Sequence, residues 1–115
     1  MATNSQGGFI GSYSGMTTFN ANTRIVRIGK LRFIHLDITT SGQIPDWTTE
    51  LVITTSGGKD KASFIEFWSH ISRTDNGIPY AIILSNGTNV QYPLPLPVGT
   101  YRGDLIYIAE QYFTT

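Results

Sequence analysis

Residues 62–73 read Ala-Ser-Phe-Ile-Glu-Phe-Trp-Ser-His-Ile-Ser-Arg, and the conformation of this stretch decides the fold. In an extended chain, successive side chains point to opposite faces. One face then carries Ile65, Phe67, Ser69 and Ile71, a stripe suited to a core. The other carries Phe64, Glu66, Trp68, His70 and Ser72. No long helical periodicity competes with this reading anywhere in the chain, so 62–73 is expected to be a strand with one face turned away from the core.

The same alternation recurs on both sides of this segment. In 31–40, Arg32, Ile34, Leu36 and Ile38 alternate with Phe33, His35, Asp37 and Thr39. Gly29-Lys30 makes a tight turn back to a strand at 24–28. Asn86-Gly87 joins strands at 80–85 and 88–92, because both residues tolerate positive φ; the same residues explain Asn86-Gly87-Thr88 better as a hairpin than as a glycosylation acceptor. Further strands are expected at 8–13, 50–55 and 104–112, with a loop at 14–23. Pro93, Pro95 and Pro97 lack a donor N–H, so 93–97 crosses the surface outside any central strand. Eight or nine short strands at this spacing predict an all-β, single-domain antiparallel β-sandwich or partly closed, jelly-roll-like barrel over 1–115, with 1–23 a loosely structured N-terminal strand and loop and 24–112 the core.

The composition agrees. Six tyrosines, six phenylalanines and fifteen threonines favour sheet, while twelve glycines and five prolines supply turns. Eight basic residues balance eight acidic ones. Nucleic-acid binding needs clustered Lys and Arg. The nearest cluster, Arg24, Arg27, Lys30 and Arg32, reads as solvated hairpin positions, so no nucleic-acid partner is expected. The absence of cysteine excludes disulfides and thiolate metal sites. No apolar run approaches a membrane helix and the N-terminus is unlike a signal peptide, so folding in a cytoplasm and no membrane insertion are expected.

The strongest site signal is Trp68 between Glu66 and His70 on the non-core face. An indole offers a flat apolar surface to the C–H face of a pyranose ring, and polar neighbours bond its hydroxyls. Arg73, Asp75 and Asn76, at the adjoining strand end and turn, extend that polar set. The competing reading covers this face with another sheet or subunit, and the two coexist where a site lies between subunits. His35 and Asp37 share a face and could pair, but no nucleophile or oxyanion motif accompanies them. Glu66 and Asp75 would serve a small polysaccharide hydrolase only if folding brought them together. Neither a metal signature nor a phosphate loop is present, and no cofactor is expected. Trp47, Tyr92 and Tyr101, beside prolines, are reserve candidates for a shallow sugar site.

Three stretches carry a family resemblance: Ile25-Val26-Arg27-Ile28-Gly29-Lys30-Leu31-Arg32-Phe33-Ile34-His35-Leu36-Asp37-Ile38 with the later Ile44-Pro45, Ala81-Ile82-Ile83-Leu84-Ser85-Asn86-Gly87-Thr88, and Val98-Gly99-Thr100-Tyr101-Arg102-Gly103-Asp104-Leu105-Ile106-Tyr107. Over about residues 24–110 the chain resembles the head domains of receptor-binding and baseplate proteins of siphophages that infect lactic acid bacteria. The resemblance implies a β domain that forms a homotrimer, sits at the tail tip of the virion and grips host cell-surface saccharide without catalysis. Such heads use Trp, His, Asp and Arg side chains, types matched here by Trp68, His70, Arg73 and Asp75. The alternative reading is a structural assembly domain, in a baseplate or as capsid decoration, that binds a protein partner such as another phage structural protein.

Overall fold

The computed structural model describes residues 3–7, 15–53, 60–64 and 66–112. Nine strands run through them, and none of these residues is helical. They are β1 (Thr3–Gly7), β2 (Thr17–Phe19), β3 (Arg24–Ile28), β4 (Leu31–Thr40), β5 (Thr48–Val52), β6 (Glu66–Arg73), β7 (Pro79–Ser85), β8 (Asn89–Tyr92) and β9 (Thr100–Ile108). All pair antiparallel in the order β1-β3-β4-β9-β6-β7-β8-β5, with β2 pairing β4 off this path. The sheet curls into a half-barrel, the all-β, partly closed architecture expected from the strand spacing.

The concave side is the core. Ile34, Leu36 and Ile38 of β4 meet Ile71 of β6, Ile82 and Leu84 of β7, Val90 of β8 and Leu105 of β9, with Phe67 packed against them. The alternation within β4 and β6 is therefore as the sequence predicts. The β7–β8 turn has Asn86 at φ 54° and Gly87 at φ 81°, the left-handed pair the sequence predicts, but Ser85 pairs with Asn89, so the turn has three residues, 86–88, and β8 starts at Asn89 rather than Thr88. The proline segment lies outside the strands: Leu96 makes an isolated bridge to Ile44, and the Pro97 carbonyl accepts from the Thr40 and Tyr101 hydroxyls.

Several expectations need correction. A short strand, β2, lies inside the anticipated loop 14–23, held by Thr18 opposite Thr39. The strand expected at 8–13 lies outside the described residues, as do Thr54, Thr55 and Ile65. β6 begins at Glu66; before it, Ala62 makes a separate bridge to Ala109 and Ser63-Phe64 form a bend. The last strand starts at Thr100 rather than Asp104 and ends at Ile108. Gly103 accounts for this shift. It reads as a turn residue but sits mid-strand, where an added Cβ would lie 2.5 Å from the His70 carbonyl oxygen. Its service is close strand approach.

The basic cluster is also corrected. Arg24 and Lys30 are exposed, but Arg27 is 5% exposed and Arg32 is fully buried. The two face each other directly across β3 and β4 on the core side. Asp60, 1% exposed, neutralises the pair: it accepts from Arg27 Nε and Nη2 at 2.7 Å each and from Arg32 Nε at 2.8 Å. Arg32 also donates to the Gly29 and Gln111 carbonyls, and the Tyr107 hydroxyl donates to the Asp60 carbonyl at 2.7 Å. The Asp60 hydrogen bond raises the Arg27 pKa above its ordinary value, and burial pushes the Tyr107 phenol up. This ion cluster staples the loop before β6 to the β3–β4 hairpin.

Candidate functional site: the outer face of the sheet

Side chains of opposite parity to the core form the outer face. On β6 these are Glu66, Trp68 and His70, all exposed. Trp68 is 58% exposed, its indole Nε1 donates to Glu66 Oε1 at 3.3 Å, and it stands opposite Ile83, which is buried on this same face. β9 lies between β4 and β6, and its register places Asp104 opposite both His35 and His70. His35 Nδ1 is 2.8 Å from Asp104 Oδ1. Among the described residues, the His70 imidazole has no hydrogen-bond partner, so it stands free beside the indole strand. From Trp68 an apolar band runs over Ile106 and Ile108 of β9, Leu31 and Phe33 of β4, and Val26 and Ile28 of β3.

The six predicted site residues fall into two groups. Glu66, Trp68 and His70 share the outer face. Arg73, Asp75 and Asn76 do not join them. Arg73 faces the core side opposite Tyr101, and its guanidinium is occupied by Asp75 at 3.0 Å through two hydrogen bonds, by the Val98 carbonyl at 2.9 Å and by the Tyr101 hydroxyl at 3.2 Å. Asn76 Oδ1 accepts from Ile78 N at 2.9 Å. These three residues lock the turn after β6. Glu66 and Arg73 occupy opposite ends of β6, about 23 Å apart at roughly 3.3 Å per residue. That is too far for Glu66 and Asp75 to flank a glycosidic bond, which needs carboxylates within about 5–10 Å.

His35 and Asp37 do not pair either. Asp37 is buried; it accepts from Asn20 at 2.8 Å, Asn22 at 3.4 Å and Arg102 at 3.2 Å. Burial alone would raise its pKa, but the bond from Asn20 and the Arg102 charge outweigh it and hold the carboxyl below its ordinary value. Asp75 is held low by Arg73. A carboxylate with a lower pKa in the folded state adds stability above its unfolded pKa and loses it as pH falls through the folded one. The melting temperature is therefore expected to stay level from neutrality to about pH 5 and to fall below about pH 4, near the unfolded Asp value. Asp37→Asn should flatten that fall; an unchanged acid profile in this variant would discharge Asp37 from the role.

Of the reserve aromatics, Tyr92 and Tyr101 are core residues, whereas Trp47 is 56% exposed and holds φ at 57°. A shallow cleft of about 280 Å³ opens beside the β7–β8 turn between Lys61, Phe64, Asn86 and Glu110. No cluster of three or more His, Asp or Glu among the described residues could hold a metal ion. Sequence reasoning placed Asp104 in the last strand but did not single it out, because only the pairing of β9 with β4 and β6 sets it between the two histidines. In comparisons with known protein families, curated proteins and solved structures, nothing matches the chain.

Proposed function

We propose that this is a non-catalytic binding domain that takes a cell-surface saccharide against the outer face of β6. One observation carries the reading: Trp68 exposes most of its indole in line with Glu66 and His70, while the alternate residues of the same strand pack into the core. A ring face for sugar C–H groups then lies beside a carboxylate and an imidazole for hydroxyls. The balanced charge suits an uncharged ligand. The resemblance to phage head domains supports a host-recognition role at a tail tip. Trp68→Ala is expected to weaken binding to cell-wall polysaccharide at least tenfold, or about 1.4 kcal/mol, with the melting temperature unchanged because the ring lies outside the core. Titration calorimetry and a glycan array check this. Failure of the wild-type protein to bind any glycan, or equal binding by the variant, would sink the proposal.

The apolar band beyond Trp68 favours a second, compatible reading. A contiguous exposed apolar strip marks a protein contact, and its exposed bordering charges, Arg24 and Arg102 against Asp104, are of both signs. Such a strip suits a second copy of the chain. Assembly over β3, β4 and β9 would leave Trp68 at the edge of the interface, where saccharide sites between subunits lie. A monomer by light scattering in the same binding experiment would remove this reading and leave the first in place.

A further inference from the structure

We infer that the saccharide contact extends from Trp68 across β7 and β8 to Trp47, so that the ligand is a chain of several pyranose rings; this rests on the saccharide reading above. The chain has two tryptophans, and both expose more than half of their surface, 58% and 56%. Tryptophan is on average a highly buried residue, so two exposed indoles in one small domain ask for a common cause.

Trp47 adds a second observation. Its φ of 57° is in the left-handed region, which costs most for a bulky side chain and persists only where the surroundings impose it. Here they do: Trp47 N donates to the Tyr92 carbonyl at 2.7 Å, and the Ile44–Leu96 bridge anchors the same loop. The chain accepts a strained backbone to hold an indole that stays in solvent. Packing does not explain that, and ligand contact does.

The topology puts the strand that carries Trp68 and the strand that Trp47 leads into on one path. The order β6-β7-β8-β5 sets Trp68 and the start of β5 three strand spacings apart, about 14 Å at roughly 4.8 Å each. Between them, across the outer face, Trp68 is opposite Ile83, Ile83 opposite Gln91 and Gln91 opposite Thr49, two residues after Trp47. Ile83 is covered and offers a ligand no surface, so the floor between the rings is made by the half-buried Gln91 and Thr49. Gln91 Nε2 donates to Thr49 Oγ1 at 2.8 Å, which orients an amide and a hydroxyl along that floor. Rings at the ends and hydrogen-bonding groups between them suit an oligosaccharide rather than a single sugar.

The test uses neutral oligosaccharides of glucose, galactose, rhamnose and N-acetylglucosamine, one to six rings long, with the full chain. In the wild type, affinity is expected to rise at least tenfold from one ring to four or more. Trp47→Ala should abolish that rise while keeping the short-ligand affinity. Trp47→Gly, whose backbone accepts φ 57° without strain, should behave alike and excludes misfolding as the cause. Trp68→Phe leaves Trp47 as the sole indole, and its fluorescence should respond to the longer ligands. If the wild type binds but Trp47→Ala keeps the length dependence, or the Trp47 emission is silent, the extension is overturned and the Trp68 contact stands. If no oligosaccharide binds the wild type, the saccharide reading fails and the extension with it.

Discussion

Asp60→Ala is expected to remove about 3–5 kcal/mol of stability, the loss that follows when one partner of a buried ion cluster is taken away. Arg27 and Arg32 oppose each other across adjacent strands with side chains 6% and 0% exposed. Like charges so placed repel, and neither can reach bulk water. The Asp60 carboxylate is the anion that binds both, through bonds of 2.7–2.8 Å. Without it, two guanidinium groups stay buried beside each other. A domain of this size is held by about 5–15 kcal/mol in total, so the variant should unfold at much lower urea than the wild type. Asp60→Asn preserves the shape but not the charge and should lose nearly as much. Replacing all three residues by apolar ones of similar volume should recover a large part, because the desolvation of the charges goes with them. A loss below about 1 kcal/mol in Asp60→Ala, the range of exposed pairs, would show that the cluster is open to solvent.

Gly103→Ala is expected to cost at least the 1–3 kcal/mol or so of ordinary overpacking. The new methyl would meet the His70 carbonyl oxygen at 2.5 Å and the Ile71 Cα and Cγ2 at 2.9 Å. Two of these atoms are backbone in the middle of β6, so no rotamer change relieves the clash; β6 and β9 must move apart. That displacement carries His70 away from Asp104 and shifts Trp68 on the same strand. Saccharide binding should therefore weaken together with stability, unlike in Trp68→Ala, where stability is kept. Gly99→Ala is the contrast: the nearest atoms its methyl would meet, at 2.9 Å, are those of the Arg73 guanidinium, so its cost falls on the Arg73–Asp75 lock and leaves the β6 and β9 backbones in place. Equal melting temperatures for Gly103→Ala and wild type would falsify the close-approach account.

Much of this was legible in the residues themselves. Alternation in 31–40 and 66–73 separates Ile34, Leu36, Ile38 and Ile71 from His35, Trp68 and His70 without any tertiary information, because the pleat has a period of two. Asn86-Gly87 marks its hairpin because the turn needs two residues at positive φ. An all-β fold and an outward Trp68 follow from these local rules.

The pairing of distant strands does not follow from them. Alternation alone cannot say that β9 inserts between β4 and β6, and so it cannot bring Asp104 between His35 and His70, or set Arg73 opposite Tyr101 on the core side. Nor can it tell a solvated arginine from a buried one, since Arg27 and Arg32 go inside only because Asp60, about thirty residues along the chain, arrives to meet them. The period of a strand is a property of its own backbone, whereas the partner across the sheet and the counter-charge in the core are chosen by which packing of the whole chain leaves no buried charge unpaired.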